Sequence, residues 1–157
     1  MATIEDYVSG KVCQQLEKSF SIFDAAEGSS LAGTRIGEIL LENVRKLAPT
    51  KMTLDEAITL IENARRWALG PRVCAAVHKE APLTNAVFLD ELAEGMVAAG
   101  KAIEATKAEA IANLRKYRRH PIMVTKVSGK QAEICPAWAK KCLYWNMEKH
   151  RLKCVHR

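Results

Sequence analysis

The residues best suited to chemistry are the cysteines near the end of the chain. Three of the five cysteines follow the pattern Cys135-x6-Cys142-x7-His150-x3-Cys154. Thiolate sulfur and imidazole nitrogen are the ligands that hold zinc and iron-sulfur clusters in proteins. The spacing therefore indicates a metal or cluster site in the last quarter of the chain, and Cys74 is the natural fourth thiol.

Two ligand sets fit this pattern. An iron-sulfur cluster spreads its ligands over a larger body than a single ion and often takes one from a remote segment. The cluster set is Cys74, Cys135, Cys142 and Cys154. The zinc set is Cys135, Cys142, His150 and Cys154. If Pro136 begins a helix, the first two cysteines of the zinc set lie about 10 Å apart along its axis, and the helix has to break for zinc.

A third explanation needs no metal, because free cysteine is among the most buried residue types. Cys13 is the clearest case. It lies beside an apolar stripe at helical spacing, so it is interpreted as a small buried hydrophobe rather than a ligand.

Length and composition predict one domain. The chain has 157 residues, 48% of them hydrophobic, which suits a single core. It contains no apolar run long enough to span a membrane, and its first twenty residues lack the apolar stretch of a signal peptide. A cytoplasmic protein is therefore expected, with thiols that are free or metal-bound rather than paired.

The positive charge is concentrated in the C-terminal part. From Arg115 to Arg157 there are twelve Lys or Arg and two acids, against a net charge of +6 for the whole chain. The cysteine-rich part of this basic segment covers about residues 122–157. Its charge is suited to binding an acidic redox partner, an enzyme subunit or nucleic acid. A solvated basic face is the simpler alternative.

Helix signals dominate the rest of the chain and predict a mainly α fold, a bundle of five to six helices with one C-terminal β-hairpin. Capping boxes mark helix starts at Thr53 and Thr106. A helix is also predicted from Asn85 to Ala99. The hairpin is predicted over residues 122–134, with Gly129 in its turn.

The sequence around the two capping boxes recurs at an offset of 53 residues. Thr53, Glu56, Ala57 and Ile58 recur as Thr106, Glu109, Ala110 and Ile111. Either any two capped amphipathic helices share such features, or the chain contains a structural repeat.

A family resemblance rests on three stretches. These are Gly70-Pro71-Arg72-Val73-Cys74, the segment from Val87 to Ala102, and Thr106-x2-Glu109-Ala110. Together they resemble small helical four-iron (4Fe-4S) ferredoxin-like proteins of anaerobic prokaryotes. The chain has Asn85-Ala86 where such proteins commonly carry a second cysteine, and its C-terminal cysteines are sparser. The resemblance implies a cluster-binding protein or a degenerate member that has lost its cluster.

The sequence thus predicts an iron-sulfur protein acting in electron transfer or as an accessory subunit of a redox enzyme. The alternative is a zinc-ordered, nucleic-acid-binding module that uses the basic tail and its aromatic residues. Catalysis by the chain alone has the least support, because no phosphate loop, nucleophile elbow or His-Glu-x-x-His helix is present.

Overall fold

The computed structural model describes residues 2–25, 31–71, 85–137, 142–149 and 151–155. Its helices are α1 (Ile4–Val8), α2 (Lys11–Ala25), α3 (Arg35–Arg45), α4 (Leu54–Asn63), α5 (Asp90–Ala98), α6 (Lys107–Lys116) and α7 (Leu143–Lys149). Its strands are β1 (Thr50–Met52), β2 (Trp67–Pro71), β3 (Asn85–Leu89), β4 (Ile103–Ala105), β5 (Ile122–Val127) and β6 (Lys130–Pro136). No helix in these ranges is long and apolar enough to cross a membrane.

The prediction of a helical bundle with a single hairpin is wrong. The six strands form one antiparallel sheet in the order β1-β5-β6-β3-β2-β4, so the fold is α/β. The hairpin is present as β5 and β6, with positive φ at Ser128 and Gly129 in its two-residue turn. It is the middle of a larger sheet, because β1 pairs with β5 and β3 pairs with β6.

The missed strand at the centre of the sheet is β3, which was predicted as the start of a helix. Ala86, Val87, Phe88 and Leu89 are all buried, so the strand has no polar face and no period-2 pattern. A short apolar run buried on both sides cannot be distinguished from a buried helix by periodicity. The helix α5 begins only at Asp90, directly after the strand.

Helices cover both faces of the sheet. Helices α4 and α6 contact one another and pack on one face, around Val87, Val124 and Ile134. Helices α1, α2, α3, α5 and α7 pack on the other face, around Phe88 and Val127. We call these the two-helix face and the five-helix face.

The chain contains an internal repeat with twofold geometry. The segments β1-α4-β2-β3-α5 and β4-α6-β5-β6-α7 have the same element order, and the strand order read from β1 matches that read from β4. The central pair is Val87 opposite Ile134. The Asp90 N–H donates to the Arg66 carbonyl at 3.0 Å, and the N–H of Ala137 donates to the equivalent carbonyl of Pro121 at 2.8 Å. The recurrence at 53 residues therefore corresponds to two structural units that exchange their first strands.

Candidate functional site

Two of the predicted ligands line one small cavity on the five-helix face. Cys135 lies near the end of β6 and is half-buried, whereas Cys142 immediately precedes α7 and is only 4% exposed. Together with Glu133, Phe20 and other side chains, they line a cavity with a volume of about 20 Å³. The structure thus brings together two thiols that are seven residues apart in sequence.

This convergence corrects the expectation about the connection between the two cysteines. Pro136 does not begin a helix but ends β6, and α7 begins only at Leu143. The separation of about 10 Å along a helix axis, which counted against a shared ion, therefore does not apply.

The third thiol, Cys154, is near enough to Cys142 to interact with it electrostatically. It is 4% exposed. Its thiol donates to the carbonyl oxygen of Tyr144 at 3.7 Å, and its backbone N–H donates to Glu148 Oε1 at 3.0 Å. Burial, followed by the negative charges of Glu148 and Cys142, raises the pKa of this thiol to about 12. Cys154 is therefore protonated at neutral pH in the metal-free protein.

Two predicted ligands, Cys74 and His150, lie outside the described residues. Cys74 belongs to a segment that leaves the sheet at Pro71 and returns at Asn85, which are paired in the β2–β3 ladder. Because β3 and β6 are antiparallel and Val87 is opposite Ile134, the residues of β6 that follow Ile134 lie alongside the residues of β3 that precede Val87. Cys135 therefore lies at the Asn85 end of the sheet. Strands β2 and β3 form the counterpart of the β5–β6 hairpin in the first repeat unit. Thirteen residues separate Pro71 from Asn85, whereas the turn between β5 and β6 has two.

The site fits a thiophilic metal by its donors but is not complete. Thiolates favour zinc, copper(I) and iron-sulfur clusters. Among the described residues, however, no group of three or more His, Cys, Asp or Glu side chains is arranged to hold a metal ion. A cavity of about 20 Å³ has room for about one water molecule, so a cluster would require the surrounding side chains to move.

A buried carboxylate lies on the same cavity and was not recognised in the sequence. Glu133 is 7% exposed and accepts a hydrogen bond from Thr125 Oγ1 at 3.3 Å. Burial, then the charge of Glu133, raises the pKa of Tyr7 well above its usual value, and the Tyr7 hydroxyl interacts with both Thr125 and Glu133. Glu133 and Cys135 lie two residues apart on one strand, so period 2 places them on the same face. That spacing was the available signal.

A second, larger cavity of about 680 Å³ lies near the same end of the sheet. Its walls include Tyr7, Cys13, Gly70 and Met96, with Lys101 among the polar residues. Cys13 is half-buried, and its thiol donates to Glu17 Oε1 at 3.5 Å. Cys13 was predicted to be a small buried hydrophobe rather than a ligand, and the structure corrects the degree of burial, since the residue is only half-buried.

The aromatic residues of the tail that the nucleic-acid alternative would stack on bases are Trp138, Tyr144 and Trp145, and the two that the structure describes, Tyr144 and Trp145, are half-buried. Trp145 is half-buried, and Lys51 Nζ lies 5.2 Å from the centroid of its ring. Trp138 lies outside the described residues. Of the two tryptophans of the tail, the one that the structure describes thus has a cation against its ring.

Known proteins offer no assignment for this arrangement. No protein-family model, curated protein or solved structure matches the chain.

Proposed function

We propose that the protein binds an iron-sulfur cluster and acts in electron transfer or as an accessory subunit of a redox enzyme. The main observation that supports this proposal is that Cys135 and Cys142 line one cavity. Cys154 is near enough to Cys142 for the two thiols to interact electrostatically, and the residues that flank the segment carrying Cys74, Pro71 and Asn85, lie at the same end of the sheet as Cys135. The proposed ligands are therefore Cys74, Cys135, Cys142 and Cys154.

The distribution of these thiols supports a cluster over a single ion. They come from the β2–β3 connection, the end of β6, the start of α7 and the chain after α7. Clusters commonly take their ligands from several segments, including a remote one. When bound, a cluster supplies one-electron chemistry that the side chains alone do not provide.

The protein's own part in binding is to gather the thiols and shield them from water. Cys142 and Cys154 are nearly excluded from water, whereas Cys135 is half-buried. Of the three described ligands, Cys135 is therefore the most open to incoming iron and sulfide. Because thiolates are the ligands, binding releases protons, and the apparent affinity should rise with pH.

The proposal is tested by iron and acid-labile sulfide content after anaerobic purification and reconstitution. We expect Cys135→Ser and Cys142→Ser each to lose most of both elements. Cys13→Ser is the matched control, because this thiol is outside the proposed set, and it should keep the wild-type content. Wild-type protein without iron and sulfide, or the same content in all three variants, would contradict the proposal.

Zinc analysis of the same variants distinguishes the zinc-ordered nucleic-acid module. Zinc that persists in Cys74→Ser but is lost in Cys142→Ser, His150→Ala and Cys154→Ser would support that module. The structure favours the cluster over that module only in that Tyr144 and Trp145, the described aromatic residues of the tail, are both half-buried.

A further inference from the structure

Six basic residues of the C-terminal part lie at the two ends of the β5–β6 hairpin, and Lys149, Arg151 and Lys153 lie at the end of α7 or just beyond it. Arg115, Lys116, Arg118 and Arg119 lie at the end of α6 and just beyond it, and all four are exposed. We call these four residues the α6 basic cluster. Lys126 and Lys130 lie at the far end of the hairpin, beside its turn. The six residues of β5 extend about 20 Å, so the α6 basic cluster is separate from that second group.

Two other basic residues of the C-terminal part are partly neutralised by carboxylates. Lys130 lies 3.7 Å from a carboxylate oxygen of Glu91, and Lys153 lies 3.8 Å from one of Glu148. None of the ion pairs found between described residues includes a member of the α6 basic cluster. Four positive charges are thus presented to solvent within five consecutive residues.

The position of the cluster links it to the proposed site. The chain runs from the α6 basic cluster through Pro121 into β5. The N–H of Ala137 donates to the Pro121 carbonyl at 2.8 Å, and Ile122 is opposite Pro136. Cys135 precedes these residues in β6. The four charges therefore lie at the end of the sheet where the half-buried thiol is found.

We infer that the α6 basic cluster is the docking surface for an acidic protein that exchanges electrons with this chain. The inference rests on the proposed function. Transient redox complexes use small interfaces, and complementary charge raises their association rate more than their affinity. A compact basic patch of this kind would hold an acidic partner at the same end of the sheet as Cys135.

An acidic protein fits this surface better than nucleic acid does. Binding to single strands depends on aromatic rings that stack on bases. The rings next to the cluster belong to Tyr117 and His120, which are half-buried and contact each other edge to face with centroids 6.1 Å apart. Lys116 Nζ also lies 5.4 Å from the Tyr117 ring centroid. The cluster therefore offers charge without an open stacking surface.

The test measures binding of a fluorescent polyglutamate peptide to the metal-free chain by anisotropy across a range of salt concentrations. In Arg118→Glu/Arg119→Glu we expect the affinity at low salt to fall about tenfold or more and the salt dependence to weaken. The matched control, Lys126→Glu/Lys130→Glu, changes the net charge by the same amount at the other end of the hairpin. It should bind within about twofold of wild type.

Several outcomes would overturn the inference. Equal weakening in the two double variants would show that only net charge matters, and absence of wild-type binding at low salt would exclude an acidic docking surface. Tighter binding of a single-stranded oligothymidylate than of the peptide, lost in Arg118→Glu/Arg119→Glu, would assign the cluster to nucleic acid. Because the protein is metal-free, these results are independent of whether iron binds.

Discussion

Metal-free protein should lose stability at alkaline pH through Cys154. Burial, followed by Glu148 and Cys142, raises the pKa of this thiol from 9.0 to about 12. Between these values the unfolded chain has released the proton while the folded chain still holds it. The free energy of unfolding therefore falls as pH rises through this range, by about 1 kcal/mol for each pH unit from this one group.

The variant Cys154→Ala removes the titrating thiol and isolates its effect. The difference in free energy of unfolding between wild type and variant should shrink by about 1 kcal/mol between about pH 8 and pH 10. Urea unfolding followed by circular dichroism, with a reductant and a chelator present, measures this difference. Val44 is fully buried and does not titrate, so Val44→Ala should keep the same difference at both pH values. A difference that is also constant for Cys154→Ala would refute the reasoning that burial holds this thiol protonated.

Three further predictions concern the elements that support the site, each measured by urea unfolding. Thr53→Ala and Thr106→Ala should each cost about 1 kcal/mol, because each threonine accepts the N–H of the glutamate three residues later in a capping box; a large difference between the two would contradict their equivalence. Asp90→Ala should cost about 1 to 2 kcal/mol, because Asp90 Oδ1 accepts the N–H of Arg65 at 2.7 Å; Asp90→Asn keeps an acceptor and should cost less. Gly70→Ala should cost about 1 to 3 kcal/mol, because a Cβ at Gly70 would lie 2.8 Å from the Lys101 carbonyl oxygen. A Gly70→Ala variant as stable as wild type would contradict this close approach.

Local signals in the sequence predicted local structure well. The capping boxes at Thr53 and Thr106 are present, as is the hairpin of β5 and β6. Each depends on residues within a few positions of one another, so its physical cause is visible in a short stretch of sequence. The recurrence at 53 residues was also visible, but its meaning became clear only from the strand order.

The sheet could not be predicted because its pairings are not local. Strands β1 and β4 have three residues each, and each is defined by pairing with a strand from the other unit. Strand β3 is buried on both faces, which removed the alternation that identifies a strand. The short length of β1 and β4 and the burial of β3 on both faces therefore explain why a helical bundle was predicted instead of a sheet.

The candidate site was predicted in its residue types but not in its geometry. The spacing of Cys135 and Cys142 was interpreted on a helix, whereas the structure has a strand end at Pro136 and a helix start at Leu143. The buried Glu133 was missed, although it lies on the same face of β6 as Cys135. A cavity formed by segments distant in sequence has no local signal.

Binding of an iron-sulfur cluster by this chain is tested most directly by the iron and acid-labile sulfide content of the anaerobically purified wild-type protein, measured with its visible spectrum. Our prediction is that both elements are present in comparable amounts with broad visible absorbance, and that most of each is lost in Cys135→Ser and Cys142→Ser and retained in Cys13→Ser. Colourless wild-type protein that takes up neither element under reconstitution would contradict it, and the gathered thiols would then be part of the core alone.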